Sequence, residues 1–372
     1  MSTTDLATPY YLIDKARLRP NLEKIAWLRE ASGARSLLAL KCFATWSVFD
    51  FMAGYMDGTT SSSLHEVKLG RAKFPGETHA YAVAWADHEI DEAVASCDKI
   101  IFNSIGQLKR FDVASRGVRR GLRVNPGVSS SSYDLADPAR PFSRLGEHDP
   151  QALARAMDEI GGVSGFMIHN NCENGRFERF DELLGVTEAR FGHLLRRVDW
   201  VSLGGGIAFT NEGYPLQRLA DRLKRFADTF GVQVYLEPGE AAVAGSTTLE
   251  VTVLDTLHNG QDLAVVDSSI EAHMLDLLVY RYGARLRAET GPHRWMVCGR
   301  SCLAGDIFGT FDLARPLKVG DRLSIEDAAA YTMVKKNWFN GVAMPSIAVR
   351  ELDGRVHRVR SFGHDEFVAA LS

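Results

Sequence analysis

About eight short apolar runs, each closing on polar or glycine residues and separated by amphipathic helical stretches, constrain this chain more than any other feature. They are Ser36 to Lys41, Met56 to Ser62, His79 to Trp85, Lys99 to Asn103, Gly121 to Asn125, Gly165 to Asn170, Trp200 to Gly204 and Val232 to Glu237. Between them lie helix-like segments such as Arg17 to Ala31, Leu64 to Lys73, Gln151 to Glu159 and Leu216 to Phe230. Apolar runs alternating with helical periodicity are the pattern of parallel βα units, and eight is the number that closes a (β/α)8 barrel. The second run, MDGTTSSS, is poor in strand formers and is included because the spacing requires a strand there. After Gly239 the pattern changes to alternating, β-branched, turn-punctuated sequence, including an Asp353-Gly354 hairpin signal. The fold expected is α/β: a TIM-like barrel over residues 15–243 followed by an all-β domain over 244–372, joined by an N-terminal strand within residues 1–14.

Composition adds exclusions. A formal net charge of -4 gives no global positive field for nucleic acid or anionic lipid, so neither partner is expected. Met1 to Pro9 lacks the basic start and apolar core of a signal peptide, and no run is long enough to span a bilayer, which makes the cytoplasm the expected location. The five cysteines are scattered and none forms a CxxC pair, so neither a disulfide framework nor a metal site is expected.

In a parallel barrel the chemistry collects at the C-terminal ends of the strands. Lys41 closes the run LLALK there, as a reactive amine or simply as a lysine reaching for water. Gly204-Gly205-Gly206 follows WVSL, where consecutive backbone N–H groups can close around a phosphate, or where the chain merely turns. Glu237, in YLEPG, is a carboxylate leaving a buried strand and needs a partner: a pyridinium N–H, or a barrel arginine such as Arg123. His169, in GFMIHNN, can lie against a ring or exchange protons, or make ordinary core hydrogen bonds. In the second domain, Cys302 and Asp306 in CGRSCLAGD read as a functional loop, and Tyr331 is a phenol able to donate to a phosphate oxygen or to fill the core.

Taken in order, ALKCF, SRLG, IHNNCEN, LGGG, YLEPGEA, GRSCLAGD and DAAAYTMVKKNWFNG resemble the fold-type III pyridoxal-phosphate decarboxylases, whose barrel-plus-β-domain fold is shared with alanine racemase and ornithine decarboxylase. The likeness runs from about residue 8 to about residue 345, and it is strongest to the carboxynorspermidine (carboxyspermidine) decarboxylase branch in NPG(x)nSRLG, HNxCE and EPGEA. It implies a carboxy-lyase using pyridoxal 5'-phosphate on a carboxylated polyamine-type amino acid. Lys41 would hold the cofactor as a Schiff base, His169 stack on its ring, Glu237 bind the ring nitrogen, and Gly204, Gly205, Gly206 and Tyr331 hold the phosphate. Cys302 would reprotonate the α-carbon. The resemblance also implies a homodimer whose shared sites receive the Cys302 loop of the partner.

Asp306, Asp276 and Glu240 are acidic residues available for the distal ammonium of such a substrate. Two segments depart from the family: Ile207-Ala208-Phe209-Thr210 replaces a histidine-rich stretch, and Leu277 to Tyr282 replaces a proline-containing one. These leave open a relative acting on another amino acid in specialised biosynthesis. Racemisation on the same barrel wants a second base opposite the lysine, a Schiff-base aldolase has no need of Glu237, and a non-catalytic relative that binds a regulatory partner would be expected to lose these cofactor contacts.

Overall fold

The computed structural model describes residues 6–372 and divides into two compact units: Asn21–Ala242, and the described residues up to Pro20 together with Val243–Ser372. The first strand, β1 (Tyr10–Asp14), is buried along its whole length in the second of these units. The barrel unit holds eight parallel strands: β2 (Arg35–Ala39), β3 (Gly58–Thr60), β4 (Glu77–Ala82), β5 (Lys99–Phe102), β6 (Arg119–Arg123), β7 (Val163–Met167), β8 (Trp200–Ser202) and β9 (Gln233–Leu236). They pair in sequence order, and β2 closes on β9 through Arg35 opposite Tyr235 and Ser36 opposite Leu236. Each apolar run supplies one strand, and the weak MDGTTSSS run supplies only the three residues of β3.

The barrel is filled by Leu37, Tyr81, Ile101, Met167, Trp200 and Tyr235, each worth about 1.5–3 kcal/mol of burial. Trp200 reaches across because β6 and β7 carry glycine where it passes. A Cβ on Gly121 would stand 2.5 Å from its ring, and one on Gly165 1.9 Å. At the N-terminal ends of the strands lies a charged layer around buried Lys99 and His79. Lys99 Nζ is bonded to Glu77 and lies 3.1 Å from Tyr235 Oη, His79 Nε2 lies 3.0 Å from the same carboxylate, and Arg35 is ion-paired to Glu77 as well.

The second unit is a mixed eight-stranded sheet. With β1 it comprises β10 (Thr247–His258), β11 (Asp262–Val266), β12 (His293–Cys298), β13 (Ile307–Leu313), β14 (Arg322–Ile325), β15 (Ser346–Arg350) and β16 (Val356–Arg360), in the order β13-β12-β11-β10-β1-β15-β16 with β14 on β10. Strand β1 runs antiparallel to β10 and parallel to β15. The Asp353-Gly354 signal does mark a hairpin, β15–β16, but its loop is five residues, with Gly354 at φ +84° and the Asp353 carboxylate accepting the Arg355 N–H at 3.0 Å. Strand β13 follows directly on the CGRSCLAGD loop, in sequence that the alternating pattern does not mark as a strand. Short helices Ile270–His273 and Leu275–Tyr280 also interrupt the β pattern. No helix among the described residues is long and apolar enough to cross a membrane.

Candidate active site

The strands stop one or two residues short of the chemistry. Lys41 lies two residues past β2, His169 two past β7, Gly204 two past β8 and Glu237 one past β9, all in turns at the same end of the barrel. At Lys41 the backbone leaves the ladder: Leu40 N–H still reaches Thr60 O at 3.0 Å, whereas Cys42 N–H turns back to Ala39 O. Three side chains and a glycine turn, from four strands, thus lie at one end of the barrel.

Lys41 Nζ stands 3.2 Å from His169 Nε2, and among the described residues it belongs to no ion pair. Desolvation is the main influence holding its ammonium below the ordinary lysine range, and the nearby Arg123 charge adds to it, opposed by Glu237. His169 is held well below the ordinary imidazole range by desolvation first and then by the charges of Lys41 and Arg123, which favours its neutral form. Its Nδ1 is buried without a hydrogen-bond partner among the described residues. Arg123 donates to Tyr81 Oη at 2.7 Å and to the His169 carbonyl at 3.4 Å, both neutral oxygens. Tyr81 in turn donates to Asn103 Oδ1 at 2.9 Å.

Glu237 is 6% exposed. Its Oε1 accepts the Ser202 hydroxyl at 2.6 Å, so the arginine salt bridge weighed from the sequence is not its partner. Burial raises its carboxyl above the ordinary range, while the Ser202 hydrogen bond and the charges of Lys41 and Arg123 pull the other way.

The glycine turn is built by close packing. Gly204 and Gly206 adopt φ of +69° and +80°, which favours glycine. A Cβ on Gly204 would lie 2.6 Å from His169 Nδ1, one on Gly205 2.2 Å from the Glu237 carbonyl, and one on Gly206 2.1 Å from the Asn171 carbonyl. The Gly204 N–H is taken by Ser202 Oγ at 3.2 Å, whereas the N–H groups of Gly205 and Gly206 make no hydrogen bond among the described residues.

In the β-sheet unit, Asp306 is 3% exposed and both its oxygens are occupied. Oδ1 accepts the Ile270 N–H at 2.7 Å, and Oδ2 accepts the Ser301 N–H at 3.0 Å and its hydroxyl at 2.5 Å. The carboxylate fills the place of a Cβ at Gly299, 2.2 Å away, so it shapes the loop that carries Cys302. Cys302 itself is exposed, with its N–H donated to Asn340 Oδ1 at 2.7 Å. Asp276 is ion-paired to Lys335, whose Nζ also stands 5.2 Å from the Tyr331 ring centroid. Tyr331 is half-buried with φ +51°. Glu240, in the barrel segment, is exposed at the start of the short helix Glu240–Val243.

Sequence reasoning passed over two residues. Ser202 is the one hydroxyl in WVSL, and a polar residue inside an apolar barrel strand was a usable signal. Asn340 carried none, since its role depends on a chain reversal at φ +55°.

The barrel cluster has the donors a phosphorylated aromatic aldehyde requires. It offers an amine biased toward its neutral, nucleophilic form, an imidazole with a free nitrogen, a buried carboxylate held by the Ser202 and Thr60 hydroxyls, and two unpartnered N–H groups in a glycine cradle. No group of three or more potential His, Cys, Asp or Glu metal ligands occurs among the described residues.

Known proteins agree with this reading. The family described as pyridoxal-dependent decarboxylase, C-terminal sheet domain, matches residues 11–329. The carboxynorspermidine/carboxyspermidine decarboxylase of Herminiimonas arsenicoxydans is 63% identical over 99% of this chain and 100% of its own. The carboxyaminopropylagmatine decarboxylase of a Synechocystis species is 33% identical over 98% of this chain and 95% of its own. The crystal structure of carboxynorspermidine decarboxylase complexed with norspermidine from Campylobacter jejuni superposes with a TM-score of 0.91 at 30% identity, covering 98% of this chain and 100% of that one. With its barrel, its sheet unit and its strand-end lysine, this chain belongs to the pyridoxal-dependent decarboxylases.

Proposed function

We propose that this chain decarboxylates carboxynorspermidine or carboxyspermidine, yielding norspermidine or spermidine. The observation that carries the chemistry is the Lys41 amine, unpaired with any carboxylate and 3.2 Å from a neutral imidazole. The substrate class rests on the 63% identity, over essentially both full lengths, to a relative named for those two substrates.

Bound pyridoxal 5'-phosphate supplies an electrophilic carbon and an electron-withdrawing ring that accepts the electron pair left when CO2 departs. Lys41 attaches it through Nζ, and the low proton affinity of that amine keeps the nucleophilic form populated. His169 would hold the ring, and Glu237, oriented by the Ser202 hydroxyl on Oε1, would hold the proton of the ring nitrogen. Gly205 and Gly206 offer their N–H groups to the phosphate, with Gly204 shaping the turn and Tyr331 adding a phenol. Cys302 Sγ delivers the proton that replaces the lost carboxylate on the α-carbon. Two copies of the chain form a homodimer in the cytoplasm, the Cys302 loop of each completing the barrel site of the other.

For the distal ammonium, Asp276 and exposed Glu240 are direct candidates. Asp276 would exchange Lys335 for substrate. Asp306 acts through the loop it folds, because its oxygens already hold Ile270 and Ser301. The test is a panel of carboxynorspermidine, carboxyspermidine, ornithine, lysine, arginine and diaminopimelate scored for CO2 release. The first two should be preferred, with norspermidine and spermidine as inhibitors. Preference for any of the other four, or indifference to both polyamines, refutes the assignment.

A further inference from the structure

We propose that Ser202 is a positioning residue for Glu237: it fixes which carboxylate oxygen faces the cofactor's ring nitrogen and ties that oxygen to the glycine turn. The inference rests on the reading of Glu237 given above.

Ser202 is the last residue of β8 and is fully buried. Its Oγ receives the Gly204 N–H at 3.2 Å, and a backbone N–H can only donate, so this contact uses an oxygen lone pair. The hydroxyl proton is thereby directed to Glu237 Oε1, 2.6 Å away. Glu237 returns the link, its own N–H donating to the Gly204 carbonyl at 2.8 Å. Three hydrogen bonds close a ring: Gly204 N–H to Ser202, Ser202 O–H to Glu237, Glu237 N–H to Gly204.

Two consequences follow from this ring. Rotation of the Glu237 carboxylate breaks a 2.6 Å hydrogen bond between two buried groups, so Oε1 stays turned toward Ser202, and Oε2, with the Thr60 hydroxyl also bonded to the carboxylate, is the oxygen assigned to the ring nitrogen. The turn proposed to hold the phosphate and the carboxylate proposed to hold the ring nitrogen also move together, as one rigid piece at the ends of β8 and β9. The other groups acting on Glu237 are the Lys41 ammonium beyond β2, the Arg123 guanidinium of β6 and the Thr60 hydroxyl of β3. None of these joins it to the glycine turn. A serine that merely filled space would be replaced by alanine with a change in stability alone.

The test uses holoenzyme carrying cofactor 15N-labelled at its ring nitrogen, as wild type, Ser202→Ala, Ser202→Cys and Glu237→Gln. The 15N shift reports whether that nitrogen carries its proton, and cofactor affinity is read by equilibrium dialysis. Removing the hydroxyl destabilises ionised Glu237, so the shared proton moves from the ring nitrogen toward the carboxylate. For Ser202→Ala we expect the 15N signal to move toward the unprotonated position, the cofactor dissociation constant to rise about tenfold, and kcat to fall about tenfold with KM little changed. Ser202→Cys keeps the bulk with a poor donor, should follow alanine, and carries the test if the alanine variant does not fold. A wild-type 15N signal and affinity in the folded variant overturns the role of Ser202. If Glu237→Gln also leaves the signal unchanged, the assignment of Glu237 falls; if Glu237→Gln loses the proton while the Ser202 variants keep it, only the present inference falls.

Discussion

Two lysines at opposite ends of one barrel show how the same side chain is made structural or reactive. Lys99, at the N-terminal end of β5, is 2% exposed and bonded to Glu77 and to Tyr235 Oη, with its Nζ 4.8 Å from the Tyr235 ring centroid. Lys41, beyond the C-terminal end of β2, has an imidazole in place of the carboxylate. Desolvation lowers the proton affinity of both. At Lys99 the next influences are the bond and charge of Glu77, which oppose that loss; at Lys41 the next is Arg123, which adds to it. A buried cation with a carboxylate is a strut, and one facing other cations is an amine ready to attack a carbonyl.

The contrast can be broken from either end. Lys41→Ala should lower turnover by at least about a thousandfold, equivalent to ~4 kcal/mol, and abolish the visible band of bound cofactor. Because Lys41 holds no carboxylate, folding stability should stay within about 1 kcal/mol of wild type. A variant keeping band and turnover removes Lys41 from its role. Cys302→Ala separates holding the cofactor from delivering the proton: the band stays and amine formation falls about a hundredfold. Normal amine formation by this variant excludes the thiol as the acid.

At the other end, Glu77→Gln leaves Lys99 buried without its counter-charge and should destabilise the chain by about 3 kcal/mol in denaturant titrations, with the folded fraction turning over normally. Loss of turnover as large as in Lys41→Ala would mean the two ends do not differ as described. The most gradual effect expected is on pH. Burial depresses His79 from its ordinary value of 6.5 to about 4 and His273 to about 3, so between those values and 6.5 the unfolded chain binds more protons than the folded one. The stability these neutral imidazoles contribute is whole above pH 6.5 and is lost as pH falls toward their folded values, read as an unfolding midpoint that declines steadily from pH 6.5 to 4. A midpoint rising from pH 6.5 to 4.5 would contradict the burial of these histidines.

Much of this was legible beforehand because barrel strands are apolar runs that must end in something polar. Lys41, His169, the glycine triplet and Glu237 each close such a run, and pattern alone put them at one end of the barrel. Long-range hydrogen bonding left no such trace. Asp306 looks like an available carboxylate in GRSCLAGD, yet one of its partners, Ile270, is 36 residues away and no local pattern announces it. Asp276 likewise gives no sign of Lys335, which follows 59 residues later. The place of the glycine triplet in the chain suits a phosphate cradle or a plain turn; that the same three positions also admit His169, the Glu237 carbonyl and the Asn171 carbonyl depends on the packing of three different strand ends.

The difference between the two lysines is tested most directly by reducing the holoenzyme with borohydride, which fixes the cofactor to whichever amine holds it, and mapping the modified peptide. The account predicts a single modified peptide containing Lys41 within LLALKCF, with Lys99 unmodified. Cofactor recovered on Lys99, or on any lysine other than Lys41, would contradict it.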